Sequence, residues 1–196
     1  MAVNKLYKDA LTHQIFNYIS QAATNLQVET YVIGGFVRDY FLKRGTPKDI
    51  DIVAVGSGIE LALAVSELLP NKPKVQVFKT YGTAMLRFED MEIEFVGARK
   101  ESYNESSRNP VVEGGTLKDD QNRRDFTINA LALSLNTNNY GTLLDPFDGM
   151  ADLEGKIIRT PLNPDITYSD DPLRMMRAIR FASQLNFVIE KESLQA

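Results

Sequence analysis

The chain has 196 residues, of which 43% are hydrophobic and 24% are charged, as in an ordinary water-soluble globular protein of one or two domains. Polar residues interrupt the N-terminal region, and no apolar run reaches the roughly 18 residues of a membrane-spanning helix. We therefore expect a cytoplasmic protein without a membrane segment. The net charge of −4 argues against nonspecific coating of DNA, because such binding requires many Lys and Arg side chains.

The composition also limits the metal chemistry. Cysteine is absent and His13 is the single histidine, so disulfides are excluded and a zinc site, which generally needs about four ligands, mostly nitrogen or sulfur, cannot be built. Any metal must therefore be bound by oxygen. Basic residues cluster locally in the Arg123-Arg124 pair and in three arginines at three-residue steps, Arg174, Arg177 and Arg180.

Apolar periodicity predicts alternating helices and strands over the first hundred residues. A short strand at 31–33 is followed by the Gly34-Gly35 turn and a helix over 36–43. Glu89-Asp90 is typical of a hairpin turn between two later strands. The remaining predicted elements are helices over 6–24 and 59–69 and strands over 50–55, 74–78, 83–88 and 91–96.

The second part of the chain is less regular. Residues 100–120 are polar and rich in Ser, Asn and Gly, which predicts a long flexible loop. The elements expected after it are a helix over 123–133, a strand pair within 132–144, a short helix and strand within 148–160, and a helix over 170–185. This order predicts an α/β fold, with a mixed sheet in a domain of residues 1–160 and the beginning of a helical domain over 161–196.

Asp49 and Asp51 flank Ile50 at the entrance to a predicted strand. Because side chains alternate along a strand, both carboxylates point to the same face. A cation between them relieves their repulsion, and oxygen ligands without His or Cys select Mg²⁺, with Mn²⁺ as the alternative. If the strand that carries Glu94 is a neighbour, Glu94 supplies a third oxygen ligand or the base for an attacking hydroxyl. An isolated Asp-x-Asp is more often a solvated strand end, so the context decides.

That context begins with the Gly34-Gly35 turn, which follows a strand and precedes Arg38 by a few residues. Backbone N–H groups at such a turn can approach a triphosphate closely, and a helix N-terminus and a guanidinium add to the binding. Asp39 is interpreted as the structural partner of an arginine. Taken alone, the glycine pair is more often a tight turn and nothing more.

The run Gly34-Gly35-Phe36-Val37-Arg38-Asp39, followed by Asp49-Ile50-Asp51, resembles the signature of the class II nucleotidyltransferases, the family of CCA-adding enzymes and bacterial poly(A) polymerases. The resemblance implies a polymerase-beta-like head with a mixed, mainly antiparallel sheet and flanking helices, followed by a helical neck. It implies that Asp49 and Asp51 hold two catalytic metal ions, that Glu94 assists, and that Gly34, Gly35 and Arg38 line the triphosphate. Two metal ions stabilise the attacking oxygen and the leaving pyrophosphate.

Two further segments carry the resemblance. The segment from Arg123 to Ala130 matches the second motif of the family, which implies that Arg124 and Asp125 contact the triphosphate and the ribose hydroxyl of the incoming nucleotide. The segment from 169 to 181 resembles the family's base-reading segment, although Asp170 stands where Glu is usual. Without the resemblance, the first segment is a helix start with salt-bridged arginines, and in the second Asp171 caps a helix.

Asp171 and Arg174 lie on one arc of the predicted helix and can act together. A carboxylate beside a guanidinium matches a base edge that carries an amino group next to an unprotonated ring nitrogen, as in adenine and cytosine. Guanine and uracil present a carbonyl beside an N–H instead, which leaves the protein's buried polar groups unpaired at a cost of about 1–3 kcal/mol each. Arg177 and Arg180 extend the predicted nucleotide-binding set. Met175 and Met176 are expected in the core.

The predicted function is therefore template-independent addition of CMP and AMP from CTP and ATP to the 3′ end of tRNA, with release of pyrophosphate. The alternatives are a poly(A) polymerase, a CC-only or A-only enzyme, and a non-catalytic nucleotide-binding or tRNA-binding module. Poly(A) polymerases of this family tend to carry a basic Gly-Arg-Arg-Phe-like stretch, whereas this chain has Phe78-Lys79-Thr80-Tyr81-Gly82-Thr83, which favours CCA addition. Family members continue through helical neck, body and tail regions, so we expect a fragment of a longer enzyme. The oligomeric state stays open.

Overall fold

The computed structural model describes residues 6–45, 47–104 and 107–196. The strands in chain order are β1 (Thr30–Ile33), β2 (Asp49–Ala54), β3 (Gln76–Phe78), β4 (Thr83–Phe88), β5 (Met91–Gly97), β6 (Arg99–Asn104), β7 (Ser107–Gly114), β8 (Ala132–Ser134), β9 (Leu143–Leu144), β10 (Ile157–Ile158) and β11 (Val188–Ile189). The helices are α1 (Gln14–Leu26), α2 (Gly35–Phe41), α3 (Gly58–Leu68), α4 (Leu117–Asn122), α5 (Gly149–Gly155), α6 (Pro164–Asp170), α7 (Leu173–Leu185) and α8 (Lys191–Gln195). None of the helices in this part of the chain is long and apolar enough to cross a membrane.

These elements form two units. The first comprises the residues up to 98 together with 132–144, and the second comprises 99–131 and 145–196. The first unit contains a seven-stranded sheet in the order β3-β4-β5-β2-β1-β8-β9. Strands β2 and β5 are parallel, whereas the other neighbouring pairs of this sheet are antiparallel. The predicted mixed, mainly antiparallel sheet with flanking helices is confirmed.

The core of the first unit follows from the alternation of side chains in the central strands. Ile50 and Ile52 of β2 and Ile93 and Phe95 of β5 are fully buried and lie on one face of the sheet. Each such side chain contributes roughly 1.5–3 kcal/mol by burial. The acidic residues occupy the positions between them and therefore point to the opposite face.

Helix α3 covers the apolar side of the sheet through a close backbone approach. Ser57 caps the helix, because its hydroxyl accepts a hydrogen bond from Glu60 N. A Cβ atom on Gly58 would lie 2.6 Å from the carbonyl carbon of Val96, so glycine permits the first turn of α3 to lie against β5. The helix ends at Leu68, because Leu69 is extended before Pro70.

Several predicted elements are confirmed within a few residues. Strand β4 has the predicted bounds, and Glu89 forms the predicted hairpin turn with a positive φ of 55°. The strand pair β8 and β9 and the short α5–β10 unit also lie where they are expected. The predicted opening helix is two elements, a short 3₁₀ turn over Lys8–Leu11 and α1, which His13 caps.

Two predictions for the middle of the chain are wrong. The segment 100–120, expected as a flexible loop, contains the antiparallel pair β6 and β7 and helix α4. The helix expected over 123–133 is reduced to a 3₁₀ turn over Thr127–Asn129, because α4 ends at Asn122 and Phe126 is extended. The Asp125 carboxylate accepts a hydrogen bond from Phe126 N at 2.8 Å, and such a local bond competes with helical hydrogen bonding.

The C-terminal helix also differs from its prediction. It begins at Leu173 rather than at residue 170, since Asp171 is extended before Pro172. The expectation that Met175 and Met176 lie in the core is wrong, because they are 42% and 65% exposed. The buried face of α7 is instead formed by Arg174, Ala178 and Phe181.

Candidate active site

Four acidic residues lie on two adjacent central strands, on the sheet face opposite the core. Asp51 of β2 is paired with Glu94 of β5, and Asp49 is paired with Glu92. Paired residues of neighbouring strands point to the same face, so Asp49, Asp51 and Glu94 share that face. Asp49 and Glu94 are exposed and Asp51 is half-buried. The strands that carry Asp51 and Glu94 are therefore neighbours, which is the condition on which a role for Glu94 depends.

Two of these carboxylates are the candidate ligands for a divalent cation. Across residues 6–45, 47–104 and 107–196, no three His, Cys, Asp or Glu side chains are grouped so that they could hold a metal ion. The cluster of three ligands considered from the sequence is therefore not assembled, and Asp49 and Asp51 are the candidate pair. Mg²⁺ commonly binds through one or two carboxylates together with water and substrate phosphates, so a pair of oxygen donors on an exposed face suffices.

The glycine turn leaves the sheet beside this acidic face. Ile33, the last residue of β1, is paired with Asp51, so Gly34 follows directly. Gly34 has φ 82° and ψ −132°, a conformation that residues with a Cβ atom rarely adopt. The glycine at this position is therefore required by the turn, and its backbone lies next to the acidic pair.

Arg38 forms a bidentate ion pair with Asp39, the next residue of helix α2. Its Nε and Nη2 atoms donate to the two carboxylate oxygens of Asp39 at 2.9 and 3.0 Å, and the residue is 8% exposed. The interpretation of Asp39 as an arginine partner is confirmed. A fixed guanidinium fork of this kind matches the geometry of a phosphate as well as that of a carboxylate.

In the second unit, a buried carboxylate that the sequence did not single out holds both arginines of the Arg123-Arg124 pair. Asp120 is 0% exposed. Its Oδ1 accepts from Arg123 Nε and Nη2 at 2.9 and 2.6 Å, and its Oδ2 accepts from Arg124 Nε and Nη2 at 3.2 and 3.1 Å. The spacing i, i+3 and i+4 is the signal for such contacts on a helix. It is missed when the segment is interpreted as a loop.

Helix α4 is itself well fixed, which determines where these arginines lie. Thr116 and Asp119 form a capping box at its start. Near its end, Gln121 Nε2 donates to Ala130 O at 2.6 Å in a buried contact. The arginine pair thus leaves a helix that is anchored at both ends.

Asp125, expected to contact a ribose hydroxyl, is 7% exposed and already has four donors. Its Oδ1 accepts from Phe126 N and Asn129 Nδ2 at 2.8 and 3.0 Å. Its Oδ2 accepts from Arg177 Nε and Nη2 at 2.7 and 2.6 Å. A ribose hydroxyl would therefore have to replace one of these donors.

The side chains of Asp171 and Arg174 bind different partners in this structure. Asp171 Oδ1 accepts from Leu173 N at 3.1 Å and so caps the first turn of α7. Arg174 is 9% exposed, and its Nη1 and Nη2 donate to the carbonyl oxygens of Thr167 and Arg123 at 3.3 and 2.9 Å. The guanidinium is held by backbone carbonyls, which leaves its other N–H groups for a further acceptor.

Arg177 and Arg180 flank an aromatic ring on the same helix. Their guanidinium carbons lie 5.4 and 5.0 Å from the ring centroid of Phe181, within cation–π range. Phe181 in turn packs edge-on against Phe126, with centroids 5.8 Å apart. The arginine series of α7 is thereby tied to the segment that carries Asp125.

The mixed sheet with an acidic pair on its open face, beside a glycine turn, defines the head of a nucleotidyltransferase. A family profile described as "Poly A polymerase head domain" matches residues 30–159. The chain belongs to this family.

Curated relatives and solved structures agree with that assignment. An A-adding tRNA nucleotidyltransferase of Aquifex aeolicus (strain VF5) is 42% identical over 166 residues, which are 85% of this chain and 20% of the relative. A solved structure described as apo form II of a CCA-adding enzyme is 33% identical, with a TM-score of 0.87, over 100% of this chain and 47% of the other. A tRNA nucleotidyltransferase complexed with a primer tRNA and an incoming ATP analogue is 37% identical, with a TM-score of 0.78, over 90% of this chain and 48% of the other. The chain thus spans less than half the length of each of these proteins.

Proposed function

We propose that this chain is the catalytic head of an enzyme that adds CMP and AMP, from CTP and ATP, to the 3′ end of tRNA without a template and releases pyrophosphate. The observation that carries the proposal is the pairing of Asp51 with Glu94 on an exposed sheet face directly beside the Gly34 turn. Membership of the head-domain family and the tRNA named for the relatives support the choice of substrate.

In this proposal Asp49 and Asp51 hold divalent metal, Mg²⁺ or Mn²⁺. When bound, two such ions stabilise the negative charge on the attacking 3′ oxygen and on the leaving pyrophosphate. Glu94, in register with Asp51, takes the proton of the 3′-hydroxyl or orients that hydroxyl. Gly34, Gly35 and Arg38 bind the triphosphate through backbone N–H groups and the guanidinium.

The second unit is proposed to recognise the rest of the nucleotide. Arg124, fixed by Asp120, adds positive charge for the triphosphate, and Arg177 and Arg180 extend that charge along α7. Asp125 recognises the ribose by exchanging one of its present donors for the 2′-hydroxyl. Arg174 reads adenine and cytosine together with Asp171, because a guanidinium anchored on two carbonyls keeps its remaining donors in fixed directions.

The domain organisation proposed from the sequence is a catalytic head over residues 1–160 and the beginning of a helical neck over 161–196. The family match over 30–159 lies within the proposed head. The helices α6, α7 and α8, which dominate the residues after 160, agree with a neck that is mainly helical.

An A-only enzyme is the second candidate. It is favoured by the 42% identity to an A-adding relative, whereas the Phe78–Thr83 segment argues against a poly(A) polymerase. A non-catalytic module is less consistent with intact Asp49, Asp51 and Glu94. The full-length protein incubated with tRNA ending in the discriminator base, in C or in CC, with each nucleotide supplied separately, separates these candidates by product length.

The catalytic assignment is tested by Asp49→Ala and Asp51→Ala in the same assay with Mg²⁺. We expect transfer to be abolished while the thermal midpoint stays within a few degrees of the unmodified protein. Asp90→Ala, an exposed acid in the adjacent hairpin turn, is the matched control and should retain activity. Undiminished transfer by either Asp49→Ala or Asp51→Ala would refute the metal assignment.

A further inference from the structure

One sheet edge exposes aromatic rings. Among the aromatic side chains that the structure describes, the exposed ones are Phe78 and Tyr81, at 45% and 69%. Both belong to residues 72–82, named here the edge segment, which contains β3 and a 3₁₀ turn over Lys79–Tyr81. Large rings left in solvent cost hydrophobic free energy, so two of them together at one edge indicate a surface that a partner covers.

The same region has an unusual local charge. From 68 to 88 the sequence contains no Asp or Glu, but it contains Lys72, Lys74, Lys79 and Arg87. Residues 68–88 therefore carry a formal charge of +4 in a chain whose net charge is −4. Lys72 is paired with Glu67 and Arg87 with Glu92, while Lys74 and Lys79 are exposed. Two exposed lysines beside the rings favour an anionic partner.

The sheet register places Phe78 of the edge segment on the face that carries Asp51. Phe78 is paired with Thr83, and Gln76 with Met85. Met85 is paired with Glu94, and Glu94 with Asp51. Since paired residues share a face, Phe78 points to the same side of the sheet as Asp51. With neighbouring strands about 4.8 Å apart, Phe78 lies on the order of 16 Å from Asp51, along the sheet surface.

We propose that the edge segment is a docking surface for the single-stranded 3′ end of the RNA that receives the nucleotide. Phe78 and Tyr81 stack on unpaired bases, and Lys74 and Lys79 contact phosphates. This combination of rings and cations is typical of single-strand binding, because every base has a face that can stack and every nucleotide carries a charge. A duplex keeps its bases stacked inside, which disfavours this mode. The inference rests on the proposed function and adds residues that hold the primer.

The test is the affinity of the full chain for a fluorescently labelled tRNA that ends in CC, measured by anisotropy without nucleotide. We expect Phe78→Ala and Tyr81→Ala each to weaken binding about tenfold, the range expected for loss of one stacking contact. Phe78→Leu should weaken binding as much as Phe78→Ala, whereas Phe78→Tyr should bind normally. Leu63→Ala, which removes an exposed apolar side chain of α3, is the control and should have no effect.

The charge contribution is measured separately. Lys79→Gln should reduce the slope of log affinity against log salt by about 0.7, whereas Lys191→Gln should leave it unchanged. In the transfer assay, Phe78→Ala should raise KM for tRNA but not KM for ATP. Because Phe78 and Tyr81 are exposed, the variants should keep the thermal midpoint of the unmodified protein.

The outcomes separate this inference from the proposed function. Loss of transfer in Asp49→Ala together with unchanged RNA affinity in both Phe78→Ala and Tyr81→Ala would overturn the docking surface and leave the enzyme intact. A variant that changes self-association in sedimentation, but not RNA affinity, would also overturn it and mark a protein contact. Weakened RNA binding in a protein that transfers nothing would support the surface and refute the enzyme.

Discussion

Asp120→Asn should destabilise the second unit strongly. The Asp120 carboxylate is 0% exposed and binds two guanidiniums through four contacts of 2.6–3.2 Å. Removing one partner of a buried ion pair typically costs 3–5 kcal/mol, because the remaining charge stays buried. The side chains of Arg123 and Arg124 are 19% and 17% exposed, so water can reach them in part and the lower value, about 3 kcal/mol, applies.

The measurement is thermal unfolding followed by circular dichroism. For a chain of this size, about 3 kcal/mol corresponds to a fall in Tm of roughly 6–12 °C. Asp90→Asn makes the same substitution in an exposed ion pair with Lys48 and should leave Tm unchanged. A Tm for Asp120→Asn within about 2 °C of the unmodified protein would show that the negative charge of Asp120 is dispensable for stability.

Two further predictions concern base selection and alkaline stability. Arg174→Ala, which removes the contacts to Thr167 O and Arg123 O, should reduce the preference for ATP and CTP over GTP and UTP about tenfold. This loss of nucleotide selectivity should exceed any change in the affinity for tripolyphosphate. An unaltered preference for ATP and CTP would count against base reading by Arg174. Burial and a hydrogen bond to Glu29 raise the pKa of Tyr31 from 10.0 to about 12, so the folded state favours the neutral phenol. This preference stabilises the folded state below about pH 10, and the stabilisation is lost as the pH rises towards 12. Above pH 10 the free energy of unfolding should therefore fall less in Tyr31→Phe than in the unmodified protein, by about 2–3 kcal/mol at the extreme. Equal dependence of this free energy on pH in the two proteins, measured by urea titration, would contradict the prediction.

The first unit could be predicted well because its signals are local. The alternation of Asp49, Ile50, Asp51 and Ile52 determines both a strand and the face on which the acids lie. Gly34 marks a turn that needs positive φ. What this periodicity could not show is that β2 pairs with β5 in parallel, since residues distant in the chain meet there and no turn sets the register.

The second unit was predicted less well because side-chain contacts override its local pattern. Helical spacing continues through Arg123 and Asp125. The carboxylate of Asp125, however, accepts a hydrogen bond from Phe126 N, and this local bond competes with continuation of the helix. The exposed Met176 shows that an apolar stripe alone does not identify the buried face of α7. Burial is decided by what packs against a helix, and a single element does not contain that information.

Local pattern alone predicts the oxygen-only ligand set, the acidic pair on one strand face and the arginines at helical steps. The folded chain determines which of these groups meet. It paired Asp51 with Glu94, and it placed Asp120 beneath two arginines. The physical reason is that side-chain direction follows from local backbone geometry, whereas contacts between distant segments depend on the whole sheet register and on which charges are buried together.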